Sequence, residues 1–390
     1  MSGSRFTGLF RLVIAALALT TLIGMIALWP NDDGGATLGE GLAATTESAE
    51  VTAVESFQCP EPQTGTCRQA MIELQSGPDA GGNAEVDLGP EGVEPAIAVG
   101  DQLRVAANPT VPEQGGAVAY SIVDFERKAP MLWLALMFAA LVIVFGRARG
   151  ALSLVGLGLS LAVVLGFIVP SILEGNSPLL VAFVGSLAVM LVTIPLAHGL
   201  GPKSLAAILG TAVSLLLVIG LAEAFTQLTN LTGISSEEAA ILQVNDFGID
   251  LRGLLIAGMV IGALGVLDDV TVSQASTVLA LKAANPGQGF RELYARAIAV
   301  GQDHVSATVN TLVLAYVGSA LPALLIFGSG DIGALEAANL ELVAKEIVGT
   351  LVGSVGLIAA VPITTALAGL LATRLPGEQL SAAAVAGHSH

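Results

Sequence analysis

The sequence predicts an all-α polytopic membrane helix bundle of about eight transmembrane helices, with a small extracytoplasmic β domain inserted between the first two. Of the 390 residues, 54% are hydrophobic and only 12% are charged, against about 25% charged in an ordinary soluble domain. Apolar runs of about 20 residues, enough to cross a hydrocarbon core of roughly 30 Å, recur along the chain. The acidic residues are concentrated, since 17 of the 32 lie between Asp32 and Glu126. A basic stripe for nucleic acid is absent.

The N-terminal residues 1–30 are predicted to form a transmembrane anchor. An apolar run begins at Thr7 after Arg5 and ends at Trp29. The run is long and no small-x-small cleavage site precedes the polar stretch, which favours an uncleaved anchor over a signal peptide. The polar, Gly-rich residues 31–49 are predicted to be a linker.

Residues 50–128 are predicted to be the small acidic β domain. Short β-favouring runs alternate with Gly, Pro and Asp turns, at 51–57, 71–75, 84–88, 102–106 and 117–123, which is typical of a small antiparallel sheet or barrel. Cys59 and Cys67 lie eight positions apart in this segment, and we expect them to form a small-loop disulfide in an oxidising, non-cytoplasmic compartment. Two unpaired thiols are the alternative.

Residues 129–374 are predicted to form seven further spans, followed by a cytoplasmic tail at 375–390. The apolar runs lie at 130–145, 151–170, 179–197, 205–221, 253 onward, 305–327 and 347–372. With the N-terminus inside, nine Lys or Arg residues flank spans on the cytoplasmic side and four on the other. The positive-inside rule therefore favours a plasma-membrane protein with both termini cytoplasmic and residues 31–128 extracytoplasmic.

An acidic pair in the sixth span carries the most information about function. Between Arg252 and Lys282 the only charged residues are Asp268 and Asp269, near the middle of the stretch. A carboxylate at the centre of a membrane helix costs about 2.5 to 3.5 kcal/mol and usually faces a protein interior or a water-filled path. Two adjacent carboxylates cannot both ionise cheaply there, so we expect the pair to hold a proton or a cation. The alternative is that the helix ends near Leu267 and the pair caps a following helix.

A row of small residues predicts how that helix is oriented. Gly258, Gly262, Gly265, Asp269 and Ser273 follow one another at spacings of three or four and so share a face. Small residues at such spacing let a neighbouring helix approach closely. We therefore expect the glycines to be helix-packing residues and Asp269 to point into the bundle.

Further polar residues extend the expected path. Thr271 and Ser273 supply hydroxyl groups next to the acidic pair. In the following span, Asp303, Ser306 and Asn310 share one face. The hypothesis is that this face meets the acidic pair across the bundle; the alternative is that Asp303 is a solvated boundary residue.

Two stretches of this region resemble a known family. The segment GALGVLDDVTVSQAST, a Pro-Gly-containing basic loop and the segment HVSATVNTLVLAYVGSALPALLIF are similar to the YibE/F family of bacterial membrane proteins. The order of one helix, a small external domain and several further spans is also similar, and the resemblance implies a membrane location.

A weaker similarity is to permeases of the resistance-nodulation-division type, in which an Asp-Asp centre, an Arg-containing loop and a Thr-rich helix occur in that order. Those transporters use the acidic pair for proton coupling, so the resemblance assigns that role to Asp268 and Asp269. This chain departs from them in its size, its small external domain and its extra spans.

Three classes of function are consistent with the sequence. The first is a secondary transporter driven by an ion gradient, in which protons or small cations pass along a relay of Asp268, Asp269, Thr271, Ser273 and Asn310. The second is a membrane anchor or scaffold that presents the external domain to a partner. The third is an intramembrane aspartyl protease, which needs two Asp residues from different helices.

No soluble-enzyme signature, phosphate loop or metal cluster occurs in the sequence, so we expect a protein that is not an enzyme and has no cofactor or metal. The expected partners are the lipid bilayer, protons or small cations and, in a homo-oligomer, further copies of the chain. Nucleic acid is not an expected partner.

Overall fold

A computed structural model of the chain describes residues 3–30, 46–59, 65–90, 96–107, 120–244, 248–330 and 333–375. The chain divides into two compact units, one of residues 36–145 and the other of residues 1–35 together with 146–390. Most of the predicted linker and the tail from residue 376 lie outside the described residues.

The smaller unit contains a five-stranded antiparallel sheet, as the five β-favouring runs predicted. The strands are β1 (Thr46–Gln58), β2 (Thr66–Leu74), β3 (Asn83–Pro90), β4 (Gln102–Ala107) and β5 (Tyr120–Phe125), arranged in the order β3-β2-β1-β4-β5. Alternate side chains, among them Val51, Ile72, Leu88 and Leu103, are buried in one apolar cluster, as the period of two of a β-strand requires.

The expected disulfide is present. Cys59 and Cys67 are bonded where β1 ends and β2 begins, next to the paired residues Phe57 and Cys67. Both cysteines are buried. The bond therefore fastens the central strand β1 to its neighbour β2 at one end of the sheet.

The remaining elements are helices. They are α1 (Gly3–Ala27), α2 (Lys128–Val163), α3 (Val169–Leu173), α4 (Pro178–His198), α5 (Pro202–Leu228), α6 (Glu237–Val244), α7 (Leu251–Ala284), α8 (Phe290–Ser319), α9 (Leu321–Gly328), α10 (Ala334–Asn339) and α11 (Glu341–Ala372). A five-residue π-helical segment, Val164–Ile168, joins α2 to α3.

Within the described residues, six helices are long and apolar enough to cross a membrane, or seven if the bent pair α8 and α9 is one span. The sequence predicted about eight, because it divides Lys128–Leu173 into two spans. These 46 residues would extend about 69 Å as one helix, more than twice a hydrocarbon core. The helix is interrupted at Arg147, whose φ of 50° and ψ of −133° are not helical. Two passes through the membrane at this point remain a prediction.

The path of the chain after α7 differs from the prediction. A span was predicted at 305–327, but α8 runs without a break from Phe290 to Ser319. The chain then bends by 61° into α9. Pro322 lies in the first turn of α9, where it supplies no backbone N–H to continue the α8 hydrogen bonds.

Helix α7 lies at the centre of the larger unit and packs against α4, α5, α8 and α11. It is one continuous helix of 34 residues, in which Asp268 and Asp269 are the 18th and 19th. The alternative in which the helix ends near Leu267 and the acidic pair caps its successor is therefore wrong. Glycines allow the neighbours of α7 to approach one another closely: a Cβ at Gly356 of α11 would lie 2.2 Å from a methyl carbon of Val218 in α5.

Candidate functional site on helix α7

Asp268, which is half-buried overall, is the member of the acidic pair that faces into the bundle. Its Oδ2 atom lies 3.4 Å from the hydroxyl oxygen of Thr193 in α4. Its Oδ1 atom is buried and has no hydrogen-bond partner in the described part of the chain. A buried carboxylate oxygen without a donor is costly.

The hydroxyl of Thr193 has a second acceptor nearby. Its oxygen lies 2.9 Å from the backbone oxygen of Val189, one turn earlier in α4. A hydroxyl group carries one hydrogen and can donate it to only one of the two acceptors at a time. The contact between Asp268 and Thr193 therefore depends on which atoms carry hydrogen.

Two further side chains of α7 join Asp268 to form a row, which we call the polar face of α7: Asp268, Thr271 and Gln274. The hydroxyl oxygen of Thr271, a fully buried residue, lies 2.6 Å from that of Thr211 in α5, and the Thr271 hydroxyl lies 3.2 Å from the backbone oxygen of Asp268. Residues three apart lie on the same side of a helix. The polar face is thus turned towards α4 and α5.

Gln274 extends the polar face towards α8 and α11. Its amide nitrogen donates to the backbone oxygen of Ala297 at 3.0 Å and to the hydroxyl oxygen of Thr365 at 2.7 Å. Thr364, beside Thr365, has a buried hydroxyl oxygen without a partner among the described residues. Four helices therefore contribute polar atoms to the surroundings of α7.

The predicted orientation of α7 is wrong. Gly258, Gly262, Gly265 and Asp269 are all exposed in the structure. A Cβ atom added at Gly258 or Gly265 would meet nothing within 4 Å, and one at Gly262 would meet only the hydroxyl oxygen of Tyr316, at 3.3 Å. Gly262 is thus the one member of this glycine row that approaches another helix within the described residues.

The physical reason is the position of the large apolar side chains. Leu264, Leu267 and Val260 of α7 are buried in the main apolar cluster, and their burial outweighs the close approach that a glycine row would permit. Adjacent residues of a helix differ in direction by about 100°. Once Leu267 and Thr271 face inwards, Asp268 is carried inwards with them and Asp269 is carried out.

The other predicted relay residues are not brought together. Ser273 is half-buried, and its hydroxyl donates to the backbone oxygen of Val270 at 3.1 Å. Asn310 is exposed and, within the described residues, makes no side-chain hydrogen bond to the acidic pair. Asp303, which the protease alternative would pair with Asp269, is also exposed.

Three partners of the polar face, Thr193, Thr211 and Thr365, were not among the predicted site residues. Each is a threonine in an apolar helix, which is an ordinary feature of membrane helices. Gln274 was a stronger sequence indication of the polar face. An amide is costly in an apolar helix, and Gln274 follows Asp268 and Thr271 at a spacing of three.

The acidic pair lies nearer to one end of the bundle than the sequence suggested. Helix α4 has 21 residues and is about 31 Å long, which matches the hydrocarbon core. Thr193, the partner of Asp268, lies only five residues, or about 7 Å, from the C-terminal residue His198. Two basic groups meet at that end, since Nζ of Lys203 is 3.3 Å from Nδ1 of His198, and Asp269 is within electrostatic range of His198.

Comparison with known proteins identifies a family over most of this region. A sequence model described as YibE/F-like protein matches residues 134–374, a range that contains all of α4 to α11 and the polar face of α7. The resemblance to this family is thereby confirmed, whereas the weaker similarity to permeases of the resistance-nodulation-division type is not. No curated protein and no solved structure matches the chain.

Proposed function

Because the chain belongs to the YibE/F-like family and has the apolar helices of a membrane protein, we propose that it is a secondary transporter driven by an ion gradient. The observation that carries the proposal is the inward-facing carboxylate of Asp268, which has one buried oxygen without a donor among the described residues. Ionisable groups inside a membrane bundle are costly and are usually retained for proton or ion movement.

The contact between Asp268 and Thr193 suggests how a proton would be sensed. When Asp268 carries a proton, its O–H can donate to Thr193, and the Thr193 hydroxyl is left to donate to Val189. When the proton leaves, Thr193 turns its single hydrogen towards the carboxylate. Loss of the proton thus reverses the direction of the hydrogen bond between α4 and α7 and removes the bond of Thr193 to Val189 within α4.

The rest of the polar face does not change in this exchange. Thr271 stays bonded to Thr211 of α5, and Gln274 stays bonded to Thr365 of α11. We infer that α5, α7 and α11 form the part of the bundle that stays fixed, and that loss of the proton changes the position of α4 relative to α7. A rearrangement between packed helices is an established form of alternating access.

Asp269 is proposed as the group that exchanges protons with water. It is exposed and within electrostatic range of His198 at the end of α4, while Asp268 beside it is half-buried. Ser273 and Asn310 are proposed to line the water-accessible part of the proton path, although neither side chain bonds to Asp268 or Asp269. The path would open to the cytoplasm if both termini are cytoplasmic, as the distribution of Lys and Arg predicts.

The decisive experiment uses proteoliposomes with a trapped pH dye. Valinomycin and K⁺ hold the membrane potential at zero, and a step of external pH is applied alone or with a gradient of Na⁺ or Ca²⁺. We expect proton flux that requires the protein, that Asp268→Asn abolishes and that the matched control Asp303→Asn retains. Flux in Asp268→Asn equal to that of the unchanged chain would contradict the proposal, as would no flux in the unchanged chain.

A scaffold that presents the β domain is the second candidate, favoured by the separate compact unit with its own disulfide. It predicts that loss of Asp268 leaves the biological activity unchanged. Reduction or removal of the Cys59–Cys67 bond should then abolish that activity, and the unchanged chain should carry no proton flux in proteoliposomes.

A further inference from the structure

A partly open cavity of about 470 Å³ lies at the bend between α8 and α9 and is also lined by α10 and the first turns of α11. Its size is within the roughly 300 to 1,000 Å³ of small-molecule sites. Its wall is mainly apolar, formed by residues such as Val313, Val317, Leu324, Phe327, Ile347 and Leu351.

Three side chains bring polar atoms to this wall: Tyr316, Glu346 and Thr350. The Thr350 hydroxyl donates to the backbone oxygen of Glu346 at 2.6 Å, so its hydrogen is already used. Tyr316 packs along Gly349, with its ring carbon 3.9 Å from a Cβ built there. The Tyr316 hydroxyl lies beside Gly262 of α7, a helix that does not line the cavity. The carboxylate of Glu346 is therefore the polar group of this lining that is left for a bound molecule.

The carboxylate of Glu346 has no counter-ion in the described part of the chain. None of the four ion pairs found there includes it, and its side chain makes no hydrogen bond to a described residue. Glu346 is only half-exposed. The neighbouring cation, Lys345, lies within electrostatic range of Glu238. A negative charge at the edge of an apolar cavity attracts a positive group.

We propose that this cavity binds an amphiphilic monocation, whose apolar body fills the cavity and whose positive group lies against Glu346. The rings of Tyr316 and Phe327 line the same space, and aromatic faces attract cations. A lipid chain or other neutral molecule would leave the carboxylate without a partner, and an anion would be repelled by it.

The cavity is separate from the polar face of α7. Two contacts fix how α7 and α11 align: Met259 of α7 lies 3.6 Å from a Cβ built at Gly349 of α11, and Gln274 of α7 bonds to Thr365 of α11. Residue numbers increase together in the two pairs, by 15 and 16, so the two helices run in the same direction. Glu346 is therefore level with about Ile256, and Asp268 lies roughly 18 Å further along the bundle. Binding at Glu346 does not depend on proton flux through Asp268.

The test compares two probes of nearly equal shape and opposite charge, tetraphenylphosphonium and tetraphenylborate. Binding to the full chain in lipid nanodiscs is measured by equilibrium dialysis, with empty nanodiscs subtracted. We expect saturable binding of the phosphonium and none of the borate. Equal binding of both probes, or no saturable phosphonium binding, would overturn the proposal.

Two variants locate the site. Glu346→Gln should weaken phosphonium binding about tenfold or more, as expected for loss of a partly desolvated charge partner, while the control Glu336→Gln, on an exposed residue of α10, should leave it unchanged. Ala338→Phe fills the cavity and should abolish binding with Glu346 intact. Unchanged phosphonium binding in both Glu346→Gln and Ala338→Phe would refute the assignment of the site. If Glu346→Gln does not fold, unchanged binding in Ala338→Phe is by itself enough to refute it.

Discussion

The contact between α5 and α11 gives the sharpest test of the packing around the polar face. A Cβ atom at Gly210 would lie 2.2 Å from the hydroxyl oxygen of Thr364, 3.1 Å from its Cβ and 3.3 Å from its methyl carbon. Because the clash involves Cβ as well as the branches, rotation of the Thr364 side chain cannot relieve it. Gly210→Ala must therefore push α5 and α11 apart.

The magnitude follows from two opposing effects. Overpacking of a core costs about 1 to 3 kcal/mol, whereas Gly→Ala inside a helix gains up to about 1 kcal/mol. We expect Gly210→Ala to be less stable by about 1 to 2 kcal/mol. Gly220→Ala in the same helix is the matched control, because a Cβ at Gly220 meets nothing within 4 Å and only the gain remains.

The assay is thermal unfolding in detergent, followed by tryptophan fluorescence at one scan rate for all variants. Gly210→Ala should unfold several degrees below Gly220→Ala. Adding Thr364→Ala, which removes a buried hydroxyl that has no partner among the described residues, should restore part of the loss. Equal midpoints for Gly210→Ala and Gly220→Ala would refute the close contact of α5 with α11.

Three further predictions concern other parts of the chain. Burial, the hydrogen bond to Asp79 and the charge of Glu47 raise the pKa of Tyr120 to about 12. The protonated phenol of Tyr120 should therefore stabilise the β domain fully below about pH 10, and this stabilisation should be lost as the pH rises towards 12. Tyr120→Phe should remove this pH dependence in an alkaline unfolding titration. Loss of the short disulfide loop in Cys59→Ser should cost about 2.5 kcal/mol, measured as faster proteolysis of the β domain in the full chain, with unchanged proteolysis counting against it. Gln274→Leu leaves Thr365 and the oxygen of Ala297 without their donor and should lower the thermal midpoint; a midpoint equal to that of the unchanged chain would contradict the bonds described.

The elements themselves were predictable because each follows from a local pattern. The five strands correspond to five runs of β-favouring residues between turns, and α4, α5, α7 and α11 correspond to apolar runs of sufficient length. The disulfide followed from two cysteines with turn residues between them. The exception is the start of α8, since a span was predicted from residue 305 and the helix begins at Phe290. Nothing in the sequence from Phe290 to His304 marks a helix boundary.

The orientation of α7 could not be derived in the same way, because two of its faces were plausible interiors. The glycine row offers close approach, and the row of Asp268, Thr271 and Gln274 offers hydrogen bonds to hydroxyl groups on α4, α5 and α11. The choice depends on Thr193, Thr211 and Thr365, which are far away in sequence. A single sequence does not indicate that they face α7.

The rotation of α7 changes what the acidic pair can do. Two equivalent buried carboxylates would share one proton and repel each other, and either could be replaced with the same effect. In this structure Asp268 is enclosed against Thr193, and Asp269 is exposed within range of His198, so the two residues meet different surroundings although they are adjacent. Loss of the enclosed carboxylate removes the group that α4 contacts, whereas loss of the exposed one removes only a route for protons from water. The proposed transporter therefore requires that Asp268→Asn and Asp269→Asn differ: the first abolishes coupling, and the second slows it.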